Sequence, residues 1–331
     1  MDAAPIVGVT YPAPPEQARV IEDALLKGAR VEFVAGQEDA PRARVLGEAE
    51  ALLAWRWSAE IRPEERSMLR RLRFLQLISA GADGLPFGEI PKGVTVAGNV
   101  GAYAEPMAEH VLAMALALAK RLPERHAEMA RGEFDSYAPS TSLDGAVCAI
   151  LGYGGIGRAV ARLMRAFGAR IHAINTTGRA EEGVERAGTL DDLDAVLGAA
   201  DVLVICLPLT VRTRGLIGAR ELGLMKPDAI LVNVARGAIV DEAALYEHLR
   251  THPEFRAGLD VWWHEPPDGR FRTDHPFFEL PNLLGSPHNS AIVPGVLETA
   301  ARRAAENVGR YLRGEPFTGL MLREDYEETN T

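Results

Sequence analysis

A chain of 331 residues, 47% apolar and 25% charged, has the composition of a soluble globular protein of about two domains. A net charge of −10 with no run of Lys or Arg argues against nucleic acid as a partner. No apolar stretch approaches the ~18 residues of a membrane span, and Met1-Asp2-Ala3-Ala4-Pro5 does not begin a secretory signal, so a cytoplasmic protein is expected.

From residue 5 to about 98, short apolar runs alternate with helical patterns. Ile6–Thr10, Val31–Val34, Ala51–Trp55, Leu75–Ile78 and Val94–Ala97 read as strands, with helices near 15–26, 41–47 and 63–72. The alternation predicts a parallel sheet with crossover helices, a flavodoxin-like α/β unit. Residues 103–131 read as one long helix, too apolar on too many faces to lie free on a surface.

A second alternating series runs through Ala146–Leu151, Arg170–Asn175, Val202–Leu207, Ala229–Asn233, Ala257–Val261 and Leu283–Leu284. Six strands in this order predict a Rossmann doubly wound sheet. A last helix, 291–314, is expected to return to the first unit. The expected division is therefore a discontinuous substrate domain, 1–99 with 293–331, and a dinucleotide-binding domain, 100–292, with hinges near 99–103 and 289–294. The acidic tail from Arg323 (Glu324, Asp325, Glu327, Glu328) reads as frayed. Cys148 and Cys206 lie in apolar strand runs and read as buried, reduced thiols.

The chemistry is carried by a few motifs. Gly152-Tyr153-Gly154-Gly155-Ile156-Gly157 follows an apolar strand and opens a helix. In that setting the glycines give a tight turn, a close approach to a pyrophosphate and close helix–strand packing. The next strand ends in Asn175, where an NAD-selective chain would carry Asp or Glu for the ribose 2′-hydroxyl. Thr176, Thr177 and Arg179 follow, and Arg179 would make a charge-assisted fork to a 2′-phosphate. The other reading has Asn175 on the 2′-hydroxyl and Arg179 solvated. NADP is the preferred cofactor, with NAD as the alternative. Arg236, Glu265 and His288 lie in three separated segments, Val-Asn-Val-Ala-Arg-Gly, Leu-Asp-Val-Trp-Trp-His-Glu-Pro and Ser-Pro-His-Asn-Ser. A guanidinium to hold a carboxylate, a carboxylate to set the state of an imidazole, and that imidazole to move a proton are what hydride transfer to a 2-oxo acid needs.

These motifs, with Leu207-Pro208-Leu209-Thr210, Val240-Asp241-Glu242-Ala243-Ala244-Leu245 and Gly258-Leu259-Asp260-Val261, occur in the order found in the D-isomer-specific 2-hydroxyacid dehydrogenases. From about residue 75 to 310 the chain resembles that family; the first 70 residues match in pattern only. The resemblance implies that Arg236 holds the substrate carboxylate, that His288 is the proton donor or acceptor, and that Glu265 orients it. It implies Leu207, Pro208, Thr213, Val234 and Ala235 beside the cofactor, and Asp260 on the nicotinamide amide. It further implies Ser79, Ala80 and Gly81 as a substrate loop. Trp55 and Arg56 at the third strand's end are expected to face substrate as well. The implied activity is reduction of a small 2-oxo acid, glyoxylate or hydroxypyruvate, to a D-2-hydroxy acid by a homodimer, with no metal. A dinucleotide-sensing corepressor-like scaffold is the competing reading. His110, on the long helix, reads as a packing or dimer residue, and His264 and His275 as surface residues.

Overall fold

The computed structural model describes residues 4–26, 28–179, 181–266 and 269–327. Along the chain run β1 (Ile6–Val9), α1 (Pro15–Leu25), β2 (Arg30–Phe33), α2 (Asp39–Glu48), β3 (Ala49–Ala54), α3 (Trp57–Glu60), β4 (Phe74–Leu77), β5 (Thr95–Ala97), α4 (Ala104–Ala119) and α5 (Leu122–Ala130). Then come β6 (Val147–Leu151), α6 (Gly155–Ala166), β7 (Arg170–Ile174), β8 (Arg186–Gly188), α7 (Leu193–Ala199), β9 (Val202–Ile205), α8 (Ala219–Leu224) and β10 (Ile230–Asn233). The series closes with α9 (Glu242–Thr251), β11 (Arg256–Leu259), β12 (Leu283–Gly285), α10 (Val296–Leu312) and β13 (Leu320–Met321). They form two compact units, Met1–Tyr103 with Val293–Thr331, and Ala104–Ile292.

The first unit holds a six-stranded sheet in the order β13-β5-β4-β3-β1-β2. The five strands β1 to β5 are parallel in the flavodoxin-like 2-1-3-4-5 order, and β13 is antiparallel on β5. β13 was not expected, since two residues carry no alternation to read. The returning α10 is amphipathic: Ala300, Ala301, Ala304, Ala305 and Val308 are fully buried in the cluster formed by Val7, Ile21, Leu53 and Phe74. Polar clamps fix it there, with Asn99 donating to Ala300 O at 2.8 Å and Asn307 donating to Gln76 Oε1 at 2.7 Å. The expected helix over 63–72 is only a 3-10 turn, Pro63–Met68. Its Glu65 is buried and gripped by Arg42, so an ion pair rather than an apolar stripe holds it. The tail is docked, not frayed, through Glu327: Arg323 donates to Ile90 O at 3.0 Å, and the Tyr326 ring stacks on Phe87. Glu328 lies outside the described residues.

The second unit holds a seven-stranded parallel sheet, β12-β11-β10-β9-β6-β7-β8. That is the doubly wound 3-2-1-4-5-6 order with one further strand. β6, β9 and β10 are buried along their whole length, as expected for parallel strands covered on both faces. β8 was missed because Arg-Ala-Gly has no strand signature. The long helix expected over 103–131 is two helices. Arg121 takes the left-handed conformation (φ 53°) and Pro123 starts α5, because proline lacks the N–H of a continuing helix. α4 packs on α6, β10 and β11, so much of its apolar surface is consumed inside its own unit. Cys148 is buried and Cys206 only partly so; both are free thiols.

Candidate active site

Parallel strands place their carboxyl ends on one edge of the sheet, and the order reverses there between β6 and β9. The glycine turn sits at this point. Gly152 has φ +97°, and a Cβ on it would lie 2.8 Å from the Cys206 carbonyl carbon at the end of β9. A Cβ on Gly157 would lie 2.1 Å from Gly152 O, so both positions admit glycine alone. Beside Gly154 there is nothing within 4 Å of a Cβ position, and α6 begins at Gly155 with no acidic residue in its first turn. Open space before a positive helix end whose own first turn carries no acidic residue fits a dinucleotide pyrophosphate, with Gly155 and Ile156 as the first helical residues; the nearby Glu181 carboxylate is engaged by Arg158 at 2.9 Å.

At the end of β7, Asn175 is part of the loop's own scaffold. Its Oδ1 accepts from the Thr177 N–H (2.9 Å) and hydroxyl (3.1 Å), and its Nδ2 donates to Arg179 O at 3.0 Å. Thr176, Thr177 and Arg179 are exposed. At the end of β9, Thr213 is buried and donates to Pro208 O at 2.7 Å while accepting from Thr210 N–H at 2.9 Å. It shapes the Leu207–Pro208 loop.

Arg236, Glu265 and His288 come together at the ends of β10, β11 and β12. Gly237 makes this possible: a Cβ there would lie 2.4 Å from the Trp262 carbonyl carbon, so the arginine loop lies directly against the Trp262–Glu265 loop. Val234 and Ala235 are buried beneath it, and the Arg236 guanidinium donates to Ala235 O at 2.6 Å. His288 Nδ1 is 2.6 Å from Glu265 Oε2, while Glu265 Oε1 accepts from the Trp262 N–H at 3.0 Å. Burial pushes the Glu265 carboxyl up. The bonds from His288 and Trp262, with the charges of His288 and Arg236, outweigh it and hold the group below the usual carboxylate range.

His288 is one of two non-glycine residues with positive φ, 53°, among the described residues. What holds it there is Asp260, fully buried at 0% exposure. Asp260 Oδ1 accepts from the Ser286 hydroxyl at 2.5 Å and the Asn289 N–H at 3.1 Å, and Oδ2 accepts from the Ser290 N–H at 3.1 Å. His110 Nε2 lies 3.0 Å from Ser286 Oγ, which puts this helix residue behind the histidine loop. Asp260, expected on the nicotinamide amide, thus spends three acceptor sites on the chain itself. Ser286 and His110 were missed as supports; the one signal was Ser286 standing two residues before His288. His264 is exposed, 3.4 Å from Asp274, whereas His275 is half-buried and stacked on Tyr246.

In the first unit, Trp55 and Arg56 share a cavity of about 330 Å³ with Ser79 and Gly81. Ala80 lies between the last two, and the N–H groups of Ala80 and Gly81 have no acceptor among the described residues. Small residues with unclaimed N–H groups fit a carboxylate.

A doubly wound sheet, a glycine turn at its switch point and an Arg–Glu–His set on its carboxyl edge define a dinucleotide-binding α/β protein. Residues 112–290 match the NAD-binding domain of the D-isomer specific 2-hydroxyacid dehydrogenases, and the chain belongs to that family. It is 34% identical to glyoxylate reductase of Aeropyrum pernix over 267 residues, 78% of each chain. It is 33% identical to D-3-phosphoglycerate dehydrogenase of Methanocaldococcus jannaschii over 249 residues, 74% of this chain and 46% of that protein, so it spans about half of that relative's length. The solved D-isomer specific 2-hydroxyacid dehydrogenase of Xanthobacter autotrophicus Py2, in complex with NADPH and MES, superposes with a TM-score of 0.80 at 28% identity, over 96% of this chain and 98% of that one.

Proposed function

We propose that this chain transfers a hydride between a nicotinamide dinucleotide and a small 2-oxo acid, forming the D-2-hydroxy acid. The carrying observation is the His288–Glu265 contact of 2.6 Å with Arg236 acting on the same carboxylate. The reduced nicotinamide supplies the hydride when bound. Arg236 offers a planar fork to the substrate carboxylate, which a point charge would not align. His288, donating Nδ1–H to Glu265, presents its other ring nitrogen to the reacting oxygen and gives it a proton as negative charge develops there; in oxidation the same nitrogen takes the proton back. In the first unit, Ala80 and Gly81 belong by the family resemblance to the substrate loop, and their backbone N–H groups suit a carboxylate.

NADPH is the proposed cofactor. Asn175 leaves no carboxylate at the end of β7 to repel a 2′-phosphate, and the Xanthobacter relative binds NADPH. A homodimer is the proposed assembly. Leu122, Met129, Phe134 and Tyr137 are 57–93% exposed on α5 and the loop after it, and Met129 and Phe134 line one surface depression. No helix among the described residues is long and apolar enough to cross a membrane, and the cytoplasm is the proposed compartment.

The test is loss of the reduced-nicotinamide absorbance in the presence of glyoxylate or hydroxypyruvate, the minimal 2-oxo acids, for the wild type and His288→Ala. The variant is expected to bind cofactor normally and lose about 10²–10⁴ in turnover. Near wild-type turnover by His288→Ala would overturn the assignment.

A further inference from the structure

We propose that the cavity at the end of β3 takes the side chain of the 2-oxo acid, and that the preferred substrates carry an uncharged, branched or aromatic side chain rather than none. This rests on the dehydrogenase reading above, with the carboxylate on the Ser79–Gly81 loop. The volume argues first. A space of about 330 Å³ holds roughly ten water-sized groups at ~30 Å³ each. Glyoxylate has no side chain, and hydroxypyruvate has a single hydroxymethyl, so either leaves most of the cavity to water. The lining argues second. Trp55, Trp57, Ala59, Leu77, Ala82 and Leu85 supply apolar walls. Trp57 is 2% exposed, and the Trp55 ring is braced edge-on by Tyr11 at 5.9 Å.

Charge decides against a second anionic group. Besides the Arg56 guanidinium and the Ser58 hydroxyl, the donors a distal carboxylate or phosphate could use are the two backbone N–H groups at the strand end. Both are taken: the Glu60 carboxylate accepts from Trp55 N–H at 3.1 Å and from Arg56 N–H at 2.6 Å, and also from the Thr10 hydroxyl at 2.6 Å. Glu60 therefore withdraws the donors and places a negative charge beside the cavity. The guanidinium of Arg56, the one charged side chain lining the cavity among the described residues, offsets that charge and leaves little net attraction for an anion. An apolar side chain gains from leaving water, and each buried methylene is worth about fourfold in binding.

The experiment compares kcat/KM of the full chain for glyoxylate, 4-methyl-2-oxopentanoate, phenylpyruvate and 2-oxoglutarate, with each reduced cofactor. The expected result is about tenfold or more in favour of the branched or aromatic acid over glyoxylate, with 2-oxoglutarate the poorer of the long acids. Glyoxylate as the best substrate, or 2-oxoglutarate as the best, overturns the inference while leaving the dehydrogenase reading intact. Turnover with none of the four acids overturns both. Ala59→Phe, an exposed position that fills the cavity without entering the core, places the site. It is expected to cut the ratio of 4-methyl-2-oxopentanoate to glyoxylate about tenfold. An unchanged ratio overturns the placement.

Discussion

Asp260→Asn separates a residue that holds the histidine loop from one that touches cofactor. The carboxylate accepts three bonds, from Ser286, Asn289 and Ser290, at 0% exposure. Asn retains one acceptor oxygen, which keeps the Ser286 and Asn289 bonds as neutral ones and turns the other atom into a donor facing the Ser290 N–H. Losing one charge-assisted bond costs about 1.5–3 kcal/mol, and converting two others to neutral bonds costs about 1 kcal/mol each, so roughly 3–5 kcal/mol in all. Scanning calorimetry should show a fall of roughly 6–20 °C in Tm. The loop from Ser286 to Ser290 holds His288 at φ 53°, a conformation that relaxes once its anchor weakens. A displacement of about an ångström costs on the order of 10²-fold, so kcat should drop while cofactor Kd changes little. An unchanged Tm with the whole loss in cofactor Kd would refute this reasoning and return Asp260 to the nicotinamide. Adding His288→Gly to the variant should not restore activity, because the proton donor is gone, yet it should recover part of the Tm, because glycine has no preference against positive φ.

Arg179→Ala should weaken NADPH by about 1–3 kcal/mol and leave NADH nearly unchanged, as measured by cofactor titration; equal effects on both would remove Arg179 from the 2′-phosphate. Glu265→Gln should change the pH dependence of reduction more than it lowers the maximal rate, because Gln still accepts the hydrogen bond but carries no charge. Because the Glu265 carboxyl is held below its usual range, its contribution to stability is present above the ordinary carboxylate pKa and is lost only as pH falls through the lowered value; the same Glu265→Gln variant should show less loss of Tm on acidification. Burial, then the neighbouring His252, lowers the His248 pKa to about 4, and its Nε2 has no partner among the described residues. The fold therefore loses stability as pH drops from the ordinary histidine value toward 4. The loss is at most about 3 kcal/mol, reduced further by solvent screening of this half-buried ring, and His248→Phe should flatten the Tm profile in that window.

Much of this protein was legible in its residues because local patterns have local causes. Short apolar runs such as Val147–Leu151, bounded by turn residues and alternating with helical patterns, match strands covered on both faces of a parallel, doubly wound sheet. The glycines at 152 and 157 are dictated by backbone contacts within the turn itself, so the motif announces the turn. Arg236, Glu265 and His288 were visible as motifs in sequence order. Tertiary structure decided what depends on neighbours distant in the chain. The break of the apolar 103–131 segment is the exception, a local effect of Pro123 and the left-handed Arg121 that the apolar pattern masks. Three-residue β8 and two-residue β13 exist only because a neighbouring strand offers its edge. Asp260, Ser286 and His110 form one support because a strand end, a loop and a helix converge, and no spacing in the sequence records that convergence. A hydrogen bond is set by position in space, whereas periodicity reports only which face of an element is buried.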